Sequence, residues 1–400
     1  MAERRSWWPF HKQHEAPAPP PAEEASAQTD SGRGVRILLG LASAVVIAFG
    51  MHAIGGILAP VLLALILTIC AQPVRVWLTR HGTPDGLATV AVALTVFALL
   101  AGFVGLLILA TAEFVGMLPQ YTEQLEQLGQ QLGSWLESIG IGAAQVQTIV
   151  SGFDPGKLLN LATSVLGDAF GLVSFLVIVL TMLILMPADA AYTPTVMKQL
   201  QPTKPGLVFA LSGYARNVRR YMVVTAALGI VQGLINGFAL VILGVPAALL
   251  WAILSFLCSF IPNVGYFVAL IPPLVFGYLT GGWGTVIAVI VVYGLINAVV
   301  QSIVQPKVVG NAVALSQTLT FFSVLFWAVV IGPIGAILAV PLTLFVRAIL
   351  IDADPGARIW RAPIGDLTEA KRLMKQESQA RKAQRHRGPA GGPAASGSGS

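Results

Sequence analysis

Residues 221–346 contain no aspartate, glutamate, arginine or histidine, and their one charged side chain is Lys307. A charge at the centre of a bilayer costs about 2.5–3.5 kcal/mol on insertion scales, so so long an uncharged stretch is suited to lipid and not to water. It excludes a soluble globular chain, in which about 25% of residues are charged; the whole sequence here reaches 10%. Cysteine is equally scarce. Cys70 and Cys258 both lie in apolar runs, which excludes a disulfide framework or a zinc site and leaves them as packing residues. The sequence also lacks a His or Cys cluster for a metal, a Gly-rich lysine loop for nucleotide phosphates, and a nucleophile with a base and an orienting partner. Ser255 and Ser259 have no intramembrane His or Lys beside them. The sequence therefore points to no enzyme, no metal, no cofactor and no ATP-driven pump.

What is present is hydrophobic: 56% of the residues, with a mean hydropathy of +0.78. The formal charge of +6 gathers in short links and in the two tails, where it orients a protein in the lipid bilayer and predicts no nucleic-acid partner. Crossing a hydrocarbon core of about 30 Å takes roughly 20 apolar residues in a helix. On that ruler the fold class is all-α, a polytopic membrane protein with about 6–8 transmembrane helices. Residues 1–34 are polar and hold Pro17, Pro19, Pro20 and Pro21, and read as a disordered cytosolic tail. Residues 35–118 hold helices 1–3, with a reversal near Gly55 and Gly56 and a polar link, 72–85, carrying Arg75, Arg80 and His81. Residues 119–160 form an extracytoplasmic amphipathic segment, 161–186 a fourth helix ending before Pro187, and 187–220 a basic cytosolic segment. Lys and Arg crowd the ends expected in the cytoplasm, including Arg36, Lys198, Arg216, Arg219 and Arg220, whereas the outer segment has only Lys157. Both termini are thereby expected in the cytoplasm. Residues 351–400 read as a basic, mostly disordered tail.

In the outer segment Tyr121, Leu125, Leu128, Leu132, Trp135 and Ile139 recur at intervals of three and four. Such a stripe serves either as a short seam between protomers of a homo-oligomer or as a face lying on the membrane or on the protein's own spans. His52 and Glu113 fall near outward span ends, where an interfacial position is expected.

The region 221–350 is a different kind of membrane segment. After an ordinary span to about Leu243, the runs become short and are broken by Pro and Gly. One hairpin, 247–280, turns at Pro262, Asn263, Val264 and Gly265; a second, 318–350, turns at Gly332, Pro333, Ile334 and Gly335. Each descending arm carries a further break, at Pro272 and Pro273 in one and at Pro341 in the other, so the pair reads as an internal repeat. Backbone leaves the helix at membrane depth only where protein buries it or a water-filled cavity meets it, and paired interrupted segments are the best sequence pointer to a transporter's substrate site. Prolines that merely kink ordinary spans are the alternative. Asn297, Gln301 and Gln305 recur every four residues and share one helix face, and Gln232 and Asn236 repeat the pattern. They line a path for a polar solute or act as hydrogen-bonded glue between helices. Lys307, beside Pro306, snorkels to the headgroups or faces an anionic substrate.

Four ordered blocks give the chain a family resemblance. They are Gly244, Val245 and Pro246 with Leu250 and Trp251; Ile261 to Gly265; Gln305, Pro306 and Lys307 with Gly310 and Leu315; and Gly332 to Gly335 with Val340, Pro341 and Leu342. The chain resembles the bacterial AI-2E family, the PerM or UPF0118 permease-like proteins, over roughly residues 35–350. That resemblance implies a multi-pass protein of the bacterial inner membrane that exports autoinducer-2, a quorum-sensing signal, in some members and exchanges Na⁺ or H⁺ in others. The family often places an acidic residue before the proline of the third block, where this chain has Gln305, which tells against proton coupling through a carboxylate. Na⁺ held by backbone carbonyls at the hairpin tips remains compatible with the pattern.

The reading that follows is a secondary transporter or facilitator exporting a small polar organic solute. Its substrate-binding or gating residues are Pro262, Asn263, Gly265, Gln232, Asn236, Asn297, Gln301, Gln305, Pro333 and Gly335, with hinges at Gly244, Pro246, Pro272, Pro306, Gly310 and Pro341. A Na⁺/H⁺ antiporter and a non-transporting membrane scaffold are the alternatives.

Overall fold

The structure is a computed structural model, and it describes residues 22–151, 154, 156–157, 159–160, 163–164, 169–262, 264–300, 315–354, 356–357, 374–375 and 378–379. The chain divides into two units, Met1–Met51 and His52–Ser400. Among the described residues the fold is all-helical. Five stretches are long and apolar enough to cross a membrane: Gly55–Arg80, Asp85–Ser138, Gly171–Ala190, Pro205–Ile242 and Gly265–Val300. Shorter apolar helices lie at Leu38–Ala53, Ala248–Cys258 and Gln317–Ile331.

Helix α1 (Ala22–Ala53) begins inside the segment expected to be a disordered tail. Its first turns, Ala22, Glu23, Glu24 and Ala25, are good helix formers placed just past the proline run. After Ile54, α2 (Gly55–Arg80) runs through Pro60 and Pro73. The expected polar link is therefore mostly helix, and Arg75 and Arg80 sit on α2; the loop shrinks to His81–Pro84, with Gly82 at φ 93°. Helix α3 (Asp85–Met117) follows, then a 3₁₀ turn at Leu118–Tyr121 and helix α4 (Thr122–Ser138). A second short helix, α5 (Ala143–Val150), doubles back on α4, where Gly133 leaves room for Val146 and Val150. The buried line of α4 is Leu125, Gly129, Gly133 and Leu136, whereas Trp135 and Ile139, at the end of the expected stripe, are exposed. The actual period drifts off the one read from the apolar residues because glycines, invisible to hydrophobic counting, take part in the contact.

Helix α6 (Ala169–Ala190) continues past Pro187, and α7 (Thr193–Leu200) is a short connector. Helix α8 (Pro205–Ile242) passes straight through the expected boundary at 220/221, so Arg216, Arg219 and Arg220 extend the same helix that enters the membrane. Among the described residues, two apolar cores hold these elements. One is formed by Ala64, Ala93, Val179 and Leu183 from α2, α3 and α6. The other centres on Phe114, Trp251 and Phe276, whose ring centroids lie 5.3–5.7 Å apart. Such aromatic pairs add about 0.5–1.5 kcal/mol each beyond their buried area.

Past Ile242 the chain turns through Gly244 at φ 67° and Ala247 at φ 54° into α9 (Ala248–Cys258). At about 1.5 Å per residue its 11 residues cover only about half of a hydrocarbon core. The chain reverses between Cys258 and Gly265 and descends as α10 (Gly265–Asn297). The break expected at Pro272 and Pro273 is not there: the helix carries through both prolines. The chain breaks instead at Gly282 (φ 63°, ψ −157°), a conformation almost restricted to glycine. On either side of it Gly277 packs against Thr285 and Val289, so α10 is a descending and a returning arm laid antiparallel. Gly277 also meets Val245, which brings the descending arm back to the corner where α9 began.

The second hairpin is α11 (Gln317–Ile331), Gly332, α12 (Pro333–Ile337) and α13 (Ala339–Arg347). Ser316 caps α11, its Oγ accepting from the Leu319 N–H at 3.2 Å. Gly332 takes φ 83°, ψ −161°, the same mirror-image extended conformation as Gly282. Pro341 lies in the first turn of α13, where a missing N–H costs nothing, and the break itself falls at Leu338.

Candidate functional site

The site is built on a row of glycines. Gly229, Gly233 and Gly237 recur every four residues on α8 and face α9. A Cβ at Gly233 would stand 2.8 Å from the Ala252 carbonyl oxygen, and one at Gly237 would stand 2.7 Å from the Ala252 Cβ. The two backbones are therefore in direct contact, the close approach that small residues permit in membranes.

That approach carries the neighbouring polar side chains of α8 into the next layer. Asn236, 1% exposed, donates from Nδ2 to Ser255 Oγ at 3.3 Å. Ser255, 2% exposed, donates in turn toward Tyr293 Oη on the returning arm of α10 at 3.5 Å, the outer limit of a hydrogen bond. Ser259 donates to the Ser255 carbonyl at 2.8 Å. A polar chain thus crosses three helices. It is incomplete, because the Oδ1 atoms of Asn236 and of Asn297 are buried without a hydrogen-bond partner. A buried acceptor left in that state costs about 1–3 kcal/mol, so a water or a ligand donor is favoured there.

The chain borders a cavity between α8, α9 and α10 that includes Gln232, Asn236, Ser255, Gly265, Tyr266 and Tyr293. Its volume available to water-sized molecules is about 20 Å³, room for about one water. Among the described residues no carboxylate lines it.

The first hairpin tip closes one side of this cavity. A Cβ at Gly265 would run into the Cys258 carbonyl oxygen, and one at Gly335 would run into the Trp327 carbonyl oxygen, so both tips rest on backbone in the same way. Among the described residues, the polar cavity is lined by residues of the first tip and by none of the second. Pro262 and Gly265 belong to the first, where Gly265 is buried and Pro262 half-buried. Pro333 and Gly335 pack on α11 instead, beside the start of α2. Gly244 and Pro246 form the α8–α9 corner, where the Pro246 carbonyl accepts from Trp251 Nε1 at 2.9 Å. Asn263, Gln301, Gln305, Pro306 and Gly310, with Lys307, lie outside the described residues.

Of the residues expected from sequence, the structure brings Gln232, Asn236 and Gly265 together around one cavity, with Asn297 one turn beyond Tyr293. Ser255, Tyr266 and Tyr293 were not singled out as ligands, and the glycine row was missed. The four-residue spacing of Gly229, Gly233 and Gly237 was a visible signal for the row. Nothing short of the fold assigns Tyr293 to the same cluster as Asn236.

A family model described as "AI-2E family transporter" matches residues 41–353. The chain belongs to the AI-2E transporter family. Relatives of the AI-2E chain cover about four fifths of it. YhhT of Escherichia coli (strain K12) is 28% identical over 310 residues, 78% of this chain and 88% of YhhT. A Haemophilus influenzae protein is 30% identical over 344 residues, 84% of this chain and 98% of its own length. The AI-2 transport protein TqsA of Escherichia coli (strain K12) is 28% identical over 330 residues, 82% and 94% of the two chains. The AI-2E region, 41–353, takes in every residue of the polar cavity and both hairpins.

Proposed function

We propose that this membrane transporter of the AI-2E family carries a small, polar, uncharged organic solute, which hydrogen-bonds to Asn236, Gln232 and the Ser255–Tyr293 hydroxyl pair during passage. The observation that carries the reading is the unmatched Asn236 Oδ1 in a cavity otherwise furnished with neutral donors and acceptors. Neutral amides and hydroxyls suit a hydroxyl-bearing solute and offer no counter-charge to an ion. The cavity at about 20 Å³ is too small for such a solute, so it corresponds to a closed state, and passage requires the α9 and α10 tip to part from α8. The glycine row is the interface at which they would separate, since α8 and α9 meet there backbone to backbone. An autoinducer-2-like molecule, the cargo in TqsA's name, is the first solute to test. Export from the cytosol, cytoplasmic termini and placement in the bacterial inner membrane complete the proposal, and the Lys and Arg distribution supports them.

Flux of autoinducer-2 in proteoliposomes tests it. Asn236→Leu is expected to lower the rate about tenfold or more, and Ser255→Ala by a smaller factor. Unchanged flux in correctly inserted Asn236→Leu protein overturns the site. A pH change inside the vesicles driven by a Na⁺ gradient, with no solute flux, would replace solute carriage with cation exchange.

A further inference from the structure

A second, larger cavity lies between α2, α3, α6 and the start of α7, with about 390 Å³ of room for water-sized molecules. It is amphipathic. Leu65, Val96 and Leu183 form an apolar interior, and Thr68, Arg75 and Asp189 bring polar groups to its walls. Asp189 is exposed and solvated. The Arg75 side chain is only 13% exposed, and its Nη2 reaches Asp85 Oδ1 at 3.8 Å, on a carboxylate that is 78% exposed. A long contact to a solvated partner contributes little, so the buried guanidinium is poorly compensated.

Two further facts sharpen this. Arg75 Nε and Thr68 Oγ1, seven residues apart on one face of α2, are both buried without a hydrogen-bond partner. Arg219 donates from Nε to the Ile69 carbonyl at 2.9 Å and from Nη2 to Gln72 Oε1 at 2.6 Å, which anchors α8 to α2 beside the cavity. A roomy chamber with apolar depths, the Arg75 guanidinium at its polar end and unmatched donors is complementary to an anion on an apolar chain.

We propose that this chamber binds the phosphoryl head of an anionic amphiphile, with the head against Arg75 and Thr68 and the chain along Leu65, Val96 and Leu183. The site is separate from the polar cavity and stands independently of which solute is carried. The shared chemistry is the phosphoryl anion; its source is a membrane phospholipid or a soluble phosphate, and the experiment separates the two.

The test is native mass spectrometry of the full chain in neutral detergent, titrated with phosphatidylglycerol, phosphatidylcholine or inorganic phosphate, with thermal unfolding followed in parallel. Phosphatidylglycerol is expected to bind about tenfold more tightly than phosphatidylcholine and to raise the unfolding temperature. Arg75→Gln should abolish the preference, Arg75→Lys retain part of it, and Arg80→Gln, at the exposed end of α2, leave it intact. Should Arg75→Gln fail to fold, Thr68→Val and Arg75→Lys read the same preference. Equal binding of the two lipids, or a preference that survives Arg75→Gln, overturns the site. Inorganic phosphate stabilising as strongly as phosphatidylglycerol overturns the amphiphile.

Discussion

His52 Nδ1 lies 3.1 Å from the Val329 carbonyl oxygen and 3.3 Å from that of Val330. Val329 is four residues before Pro333, which has no N–H to give it, and the Gly332 break turns the next amide away from Val330. The imidazole therefore replaces the missing helix donor, with Nδ1 carrying the proton. His52, expected at the membrane interface, thus also hydrogen-bonds the end of α11 just before the second hairpin tip.

The consequence is measurable. His52→Ala should destabilise the protein by about 1 kcal/mol, the worth of one such bond, and His52→Gln should recover part of that. Thermal unfolding in detergent reads it, and an unchanged midpoint in His52→Ala would remove the capping role.

Gly265→Ala and Gly335→Ala should each cost about 1–3 kcal/mol, because the new methyl meets a backbone carbonyl that cannot rotate away. Gly102→Ala is the counterpart. Its Cβ meets open space on a helix, so the change should be neutral or stabilising by up to about 1 kcal/mol. Comparable losses at all three positions would show that the tips are not close-packed.

The glycine row predicts a graded series. Gly233→Ala should impair folding or flux and Gly233→Leu abolish both, since the first atom added at this position already collides with Ala252. Gly116→Ala, with open space around it, should do neither. Membrane-fraction yield and solute flux separate these outcomes.

Trp251→Phe tests the corner that launches the first hairpin. It keeps an aromatic ring between Phe114 and Phe276 but removes the hydrogen bond to Pro246, next to the left-handed Ala247. A loss of about 1 kcal/mol is expected, seen as a lower unfolding midpoint. Trp251→Leu should lose more, as the edge-to-face pair with Phe114 and the stacked pair with Phe276 go with it.

The broad architecture was legible because lipid imposes its own grammar: long uncharged runs have few other uses, and Pro and Gly at Pro262, Gly265, Gly332 and Pro333 mark places where a helix must end. The pair Gln232 and Asn236 was legible through helical periodicity. The sequence was misleading where a rule that holds in water is relaxed in a bilayer. Pro272 and Pro273 look like breakers, yet the helix passes them, since neighbouring helices tolerate a lost bond there. Arg75 looked like loop chemistry because charge usually marks a span end, and the chamber behind it stayed hidden. The partnership of Asn236, Ser255 and Tyr293 joins residues far apart in sequence, and no local pattern encodes it.

The meeting of Gly277 with Val245 bears on sidedness. A chain that climbs through α9, turns and comes back to its starting corner leaves the bilayer on the side where it entered, so the α9 and α10 descending-arm pair contributes no net passage. Reporter enzymes inserted after Gly244 and after Gly282 would then report one and the same compartment.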